Sequence, residues 1–347
     1  MDLALLIVSF VVILAGSELF TNGIEWFGHK LELGEGAIGS VLAAVGTALP
    51  ETMIPLIAIL FGGGIAASEV GVGAILGAPF MLSTLTMFVT GAAVWLMRRR
   101  RATGMDLAVD VQVLEHDMSY FAFAYCLAIG AAFLPIGLEW PRRLLAVVLI
   151  GIYGYYVWGH LKADAAEHHG LEPLRFHKLD RGAPQHPEPP RFLIVAVQVV
   201  FALACIIGGA WGFVGAVMDL AHSLGVNGTL LALLVAPIAT ELPEKLNSVL
   251  WVRRGKDTLA LGNVTGAMVF QSAIPTSIGL ILVPTLWTVA GQGVAFASAA
   301  IALASSAAIF IPMAMRKHLG ARALLVGGFF YLGYLLLVLA TLAGVTF

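Results

Sequence analysis

The sequence predicts an all-α polytopic membrane protein: ten transmembrane helices in two inverted five-helix repeats, with helices broken near the membrane midplane. Three observations predict it. Hydrophobic residues make up 59% of the chain and charged residues only 12%, about half the charged fraction of an average soluble domain. Ten long apolar runs are separated by short polar connections and one longer one, and roughly twenty residues suffice to cross the hydrocarbon core. A phrase of the form Thr-x-x-Pro-Glu occurs twice, each time inside such a run.

The runs fall at about 3–27, 36–61, 70–97, 118–136, 142–161, 192–221, 229–252, 258–284, 293–315 and 321–346. The first follows Met1-Asp2 directly, without the basic start and small-residue cleavage site of a secretory signal, and is expected to be a retained helix. With the amino terminus outside, the connections after runs 1, 3, 5, 7 and 9 hold sixteen of the nineteen Lys and Arg. The opposite connections hold Arg142 and Arg143, and Lys245 lies inside a run. This asymmetry puts the basic connections in the cytoplasm and both termini outside. Five spans in each half then force the halves to be inverted.

The halves comprise residues 1–163 and 191–347, joined by a linker at 164–190. The linker carries Pro173, Pro184, Pro187, Pro189 and Pro190, and is expected to be cytoplasmic and mostly irregular. Between runs 3 and 4, the stretch from Met105 to Asp117 alternates Asp106, Asp110, Glu115 and Asp117 with Leu107, Val111 and Leu114. It reads as an amphipathic segment at the cytoplasmic interface. Cys126 and Cys205 both lie in apolar runs, as packing residues rather than a disulfide or metal ligands.

The chemistry concentrates in the repeated phrase. It reads Gly46-Thr47-Ala48-Leu49-Pro50-Glu51 in the first half and Ala239-Thr240-Glu241-Leu242-Pro243-Glu244-Lys245 in the second, offset by 193 residues. A charge at bilayer depth costs roughly 2.5–3.5 kcal/mol on insertion scales. Such residues therefore need partners or a function. Pro50 and Pro243 are expected to interrupt or kink their helices, freeing carbonyls where only a cavity or protein can accept them. Carbonyls, the Thr47 and Thr240 hydroxyls, and the Glu51 and Glu244 carboxylates make an all-oxygen environment suited to a hard cation. Two carboxylates match the charge of one divalent ion. The bland alternative is a pair of neutral, hydrogen-bonded acids; the repetition argues against it.

Each phrase is followed by a glycine-rich run. Gly73-Ala74-Ile75-Leu76-Gly77-Ala78 corresponds to Gly262-Asn263-Val264-Thr265-Gly266-Ala267, offset by 189. Gly77 and Gly266 are expected to let their helices approach the broken ones closely.

These phrases resemble the Gly-Thr-Ser-Leu-Pro-Glu repeats of the calcium/cation antiporter superfamily, sodium/calcium exchanger type, and the resemblance covers nearly the whole chain. It implies alternating access, with Glu51 and Glu244 as central cation ligands and Thr47 and Thr240 lining the site. The chain departs from the family pattern at Ala48 and Glu241 in place of serine, and at Ala78-Pro79 and Ala267-Met268 in place of Ser-Asn. A later acidic or amide position falls on Leu82 and Gln271, so the resemblance makes Gln271 a candidate ligand. The lost hydroxyls and amides are sodium ligands in the family, which leaves sodium coupling open.

Glu241 and Lys245 are four residues apart, so a continuous helix pairs them. That pair is either structural or a source of positive charge in place of sodium. Glu18 and Glu25 in run 1 line a sliding surface or simply reach water near a helix end. His160, His168, His169, His177 and His186 surround the linker and match no metal motif, which reads as a solvated loop.

The expected function is secondary antiport, not enzymatic: calcium against sodium or protons, across a prokaryotic cytoplasmic membrane. One alternative is an exchanger of another divalent metal such as manganese or magnesium; another is a transport-inactive sensor or assembly protein on the same fold. The expected partners are inorganic cations and the lipid bilayer, with no nucleic acid and no resident cofactor. The sequence leaves the oligomeric state open.

Overall fold

The computed structural model describes residues 2–61, 65–135, 137, 139–162, 171–179, 189–223, 241–290 and 292–342. They are predominantly helical. In order they form α1 (Asp2–Lys30), α2 (Glu35–Thr47), α3 (Leu49–Phe61), α4 (Ile65–Met81), α5 (Met87–Met97), α6 (Val111–Gly130) and α7 (Glu139–Lys162). The second half adds α8 (Phe192–Ser223), α9 (Leu242–Arg253), α10 (Asp257–Leu282), α11 (Gly293–Arg316) and α12 (Ala321–Leu342). The centre of α2 is π-helical over Ile38–Ala43, and a second π-helical turn, Leu82–Thr86, joins α4 to α5. Two short strands, β1 (Asp106–Leu107) and β2 (Leu319–Gly320), pair antiparallel.

Among the described residues, seven helical stretches are long and apolar enough to cross a membrane. The three other runs fall short for separate reasons. Run 2 is split into α2 and α3, each shorter than a bilayer. Run 4 lies in α6, whose first turns carry Glu115, His116 and Asp117. Much of run 7 lies outside the described residues. The outward faces of the long helices carry exposed Leu144, Val147 and Trp158 on α7, and Phe329, Leu332 and Leu336 on α12. Such faces suit lipid, where helices satisfy their own backbone.

The chain packs as two compact units, Met1–Pro50 with Val157–Asn263 and Glu51–Tyr156 with Val264–Phe347. Each draws segments from both halves of the sequence.

In the first unit, α1 lies along α8. A Cβ on Gly209 would meet Ile13 Cγ1 at 2.9 Å and the Ser9 carbonyl oxygen at 3.2 Å, so glycine lets the backbones approach as small residues do in membrane bundles. Cys205 packs on Gly16, while Cys126, in the second unit, is exposed rather than packed.

Part of the expected irregular linker is docked onto this helix pair. Trp26 Nε1 donates to the Glu172 carbonyl at 2.8 Å, Arg175 N to Asn22 Oδ1 at 2.9 Å, and Phe176 N to Gln198 Oε1 at 2.8 Å. Leu174 is buried with Trp26 and Val195, and His177 is buried rather than solvated. Tertiary hydrogen bonds, absent from any linear pattern, order the segment. Glu18 pairs with Arg175 at 2.9 Å and with Arg254 at 2.5 Å, and the first contact holds the Arg175 guanidinium further towards its charged form. Glu25 is buried, paired with Lys256 and accepting from Trp251 Nε1 at 2.9 Å. It does not reach water; a partnered carboxylate can afford that position.

In the second unit, side-chain donors satisfy backbone carbonyls between helices. Tyr125 donates to Leu76 O at 2.5 Å, Trp287 to Ala128 O at 2.8 Å, and Ser305 to Ser83 O at 2.8 Å. Helix α12 packs through glycine on the π-helical turn that joins α4 to α5. A Cβ on Gly327 would lie 2.5 Å from the Thr84 carbonyl oxygen, whereas one on Gly77 would meet no described atom within 4 Å. Among the described residues, the close approach expected at Gly77 is not made. Gly327→Ala should lower stability by about 1–3 kcal/mol, the usual overpacking range, and Gly77→Ala should not. Thermal midpoints in detergent check this; equal midpoints for the two variants would contradict the packing.

Candidate cation site

The two phrases share one backbone event. α2 ends at Thr47, Ala48 adopts φ −82°, ψ 3°, and α3 starts at Leu49. At the equivalent position of the second phrase Glu241 adopts φ −88°, ψ 11°, and α9 starts at Leu242. Both residues occupy the sparsely populated bridge region. Pro50 and Pro243 are each the second residue of the new helix, where the missing N–H has no intrahelical acceptor to lose. In the first phrase the chain breaks at Ala48, before the proline. The expected proline kink is thus a helix restart. Thr240 and Ala239 lie outside the described residues.

A restart places Glu51 and Glu244 in a first helical turn, where the positive end of the helix dipole favours an anion. In the first unit Glu244 is fully buried. Neither carboxylate oxygen has a hydrogen-bond partner of ordinary geometry. Its neighbours include Glu241, Lys245 and Thr47. Thr47 Oγ1 lies 3.1 Å from the Ala43 carbonyl oxygen and 3.2 Å from Asn263 Oδ1. Its single proton can serve only one of these or the neighbouring Glu244 carboxylate, so the hydroxyl oxygen keeps lone pairs to offer a cation.

The pairing of Glu241 and Lys245 is realised. Lys245 Nζ lies 2.9 Å from Glu241 Oε2, with side chains 6% and 1% exposed. The pair is buried next to Glu244, so a fixed positive charge adjoins the lone carboxylate.

Sequence reasoning missed two amides. Asn247, one turn after Glu244 on α9, is fully buried with neither Oδ1 nor Nδ2 hydrogen-bonded. Its signal was plain: an amide in an apolar run at i+3 from the acid. Asn263 is buried and meets Thr47, held there by a tight crossing of α2 and α10. A Cβ on Gly262 would lie 2.8 Å from Ser40 Oγ, and one on Gly39 would lie 3.2 Å from the Leu259 carbonyl oxygen. The close approach thus falls on Gly39 and Gly262.

The second unit holds Glu51, Gly77, Gly266 and Gln271. Glu51 and Gln271 are buried, and neither polar end of the Gln271 amide has a hydrogen-bond partner. Asp117, expected at the interface, is instead fully buried. It accepts from Tyr156 Oη at 2.9 Å and Thr265 Oγ1 at 2.5 Å. The amphipathic reading fails there because the helix begins at Val111, capped by Asp110, and carries Asp117 inward. Carboxylate, amide and hydroxyl oxygens in dry surroundings are ligands of a hard cation.

Comparison with known proteins gives one consistent result. The family model described as "Sodium/calcium exchanger protein" matches residues 1–162 and 194–343. A curated protein named "Putative antiporter CaxA", from Alkalimonas amylolytica, is 25% identical over 83% of this chain and 82% of its own length. A structure of the sodium-calcium exchanger NCX_Mj, soaked with 2.5 mM Na+ and 0.1 mM Sr2+, superposes with a TM-score of 0.71 over all of both chains, at 18% identity. Another, soaked with 2.5 mM Na+ and 0.1 mM Ca2+, gives 0.70 over 100% of this chain and 99% of its own. The chain is therefore a multi-pass membrane protein of the sodium/calcium exchanger family, a transporter family rather than an enzyme family.

Proposed function

We propose that the protein exchanges a divalent cation, calcium foremost, by alternating access, with Glu51 and Glu244 as the carboxylates that hold it. The proposal includes ten spans in two inverted repeats, both termini outside, in a prokaryotic cytoplasmic membrane. One observation carries the reading: Glu244 is fully buried, yet its oxygens accept no hydrogen bond of ordinary geometry. The nearby Lys245 is paired with Glu241 at 2.9 Å, so an ionised Glu244 in that dry interior still calls for a counter-charge of its own. Thr47, Asn247 and Gln271 add neutral oxygens. Calcium accepts six to eight oxygens in adaptable geometry, whereas magnesium demands a near-ideal octahedron and sheds water reluctantly. A buried, amide-containing ligand set therefore favours calcium.

For the counter-ion we propose the proton. Ala48, Ala78, Leu82 and Ala267 offer no side-chain oxygen, and the Lys245 ammonium stands beside Glu244. A second monovalent cation would meet that charge without a cage to offset it. A proton needs no cage, and it competes with the metal for the same carboxylates.

Three outcomes test this reading. Glu51→Gln and Glu244→Gln should each abolish divalent binding in a folded protein; calorimetric titrations matching wild type would remove the assignment. Asn247→Leu should weaken calcium binding about tenfold, within the range for losing a buried polar partner, and an unchanged affinity would exclude that amide from the ligand set. In proteoliposomes, a pH gradient should drive calcium flux in sodium-free buffer, and Lys245→Leu should shift the pH optimum. Flux that requires sodium and ignores the pH gradient would reject proton coupling.

A further inference from the structure

Helix α10 carries Gln271 in the second unit, where three contacts from α6 and α7 hold it. At Thr265 the hydroxyl donates to Asp117 Oδ2 on α6 at 2.5 Å. At Phe270 the ring meets Tyr153 of α7 edge-on, with centroids 5.6 Å apart. At Ser277 the hydroxyl lies 3.0 Å from the Ala146 carbonyl oxygen of α7. Helix α6 is itself anchored, because Tyr125 donates to Leu76 O of α4 and Trp287 donates to Ala128 O. Leu76 and Thr265 are equivalent positions of the repeat, offset by 189. One helix therefore grips both glycine-rich helices at the same point.

The tie at Thr265 differs from the others in kind. Asp117 is fully buried, and a carboxylate so placed in a membrane protein is costly. Apolar side chains of similar volume could join the same helices as stably. What they do not supply is direction: an apolar contact tolerates sliding and rotation, whereas a hydrogen bond weakens steeply once its angle is lost. Tyr156 Oη, 2.9 Å from Oδ1, engages the other carboxylate oxygen and so fixes the plane of the group. Gln271 follows Thr265 by six residues and leaves α10 roughly 120° round the helix from it. It is buried, with neither end of its amide hydrogen-bonded among the described residues. Its direction is therefore set by the rotation of the helix.

We infer that Asp117 is a positioning residue for the cation site: through Thr265 it fixes the rotation of α10 and so presents the Gln271 amide oxygen to the bound ion. The inference rests on the divalent-cation reading above. Binding groups have to be held within about 0.5 Å and 10–20° of the productive geometry, by hydrogen bonds behind them. Loosening the tie leaves the ion to order its own ligand, which weakens binding although no ligand is removed.

A double-mutant cycle read by calorimetric calcium titration of the full-length protein in detergent tests this role. Thr265→Val keeps the shape of the side chain and removes the hydroxyl; it should weaken calcium binding about tenfold, the lower end of what a hydrogen bond to a charged group contributes. In a Gln271→Leu background the same substitution should change the affinity by less than about twofold, because no amide is left to position. Asp117→Asn still offers an acceptor to one hydroxyl and a donor to the other. It should stay within about threefold of wild type, whereas Asp117→Ala should match Thr265→Val. Ser305→Ala removes a hydroxyl that bonds the Ser83 carbonyl, away from α10, and should leave the affinity unchanged. Equal losses for Thr265→Val in both backgrounds would reduce the tie to a structural one and overturn the inference. So would an Asp117→Asn variant as weak as Asp117→Ala, or a Ser305→Ala variant as weak as Thr265→Val. Those results leave the divalent-cation reading standing, while a wild type that binds no calcium would overturn that reading and this role together.

Discussion

The constraint on which the rest depends is the cost of a carboxylate where water cannot follow. Four such acids illustrate how it is met. Glu25 has Lys256 and the Trp251 indole, Asp117 has Tyr156 and Thr265, and Glu241 has Lys245. Glu244 is as deeply buried as any of them, and no hydrogen bond of ordinary geometry reaches it. In the first three, folding supplies the partner, and removing it would strand a charge. On the proposed reading, the fourth takes its partner, a cation, from outside the chain. On that reading, the contrast within one molecule separates a structural acid from a binding acid better than burial does.

The backbone around Glu244 is arranged to leave it so. A continuous helix would present the acid in mid-span, with the surrounding carbonyls already bonded. The break at Glu241, and its counterpart at Ala48, instead restart a helix three residues before each glutamate. The dipole of the new helix then contributes roughly 0.3–1 kcal/mol towards an anion in its first turn, and the closing turn of α2 leaves carbonyls without intrahelical donors. Proline consolidates the restart by occupying a position whose N–H has no acceptor. The bridge-region residue therefore marks the break, and the proline marks where the second helix begins.

Much of this was legible in the sequence, because composition and repetition report what lies in lipid and what recurs. The helical class, the apolar runs, both Pro-Glu phrases and the Glu241–Lys245 pair could be read from spacing alone. Features that depend on a distant partner could not. Gly39 and Gly262 carry a tight crossing of α2 and α10 that was not expected of them, while Gly77 meets no described atom, because a glycine pattern does not say which neighbour approaches. Asp117 sits in a mixed polar segment whose inward face is set by the Asp110 cap and completed by α7 and α10. Residues 171–179 read as linker, yet Asn22 and Gln198, both polar residues inside apolar runs, hold them. Those two amides were the available signal: a polar side chain in a membrane helix is expensive enough to require a destination.

The exchange of serine for glutamate at position 241 has to be judged together with Lys245. Alone, an added carboxylate beside Glu244 would bring a second negative charge into a dry site and raise the cost of emptying it. With the ammonium 2.9 Å away, the added pair is close to neutral, so the charge that a cation must balance remains that of the glutamates. The pair still changes the site's options. A sodium ion bound near residue 241 would lose a hydroxyl ligand and meet a fixed cation, while a divalent ion at Glu244 would feel the attraction of Glu241 and the repulsion of Lys245 nearly cancel. On the proposed reading, these two residues together suppress a monovalent site and spare the divalent one. That outcome requires both partners: either substitution by itself would leave an uncompensated charge beside the carboxylate on which binding depends.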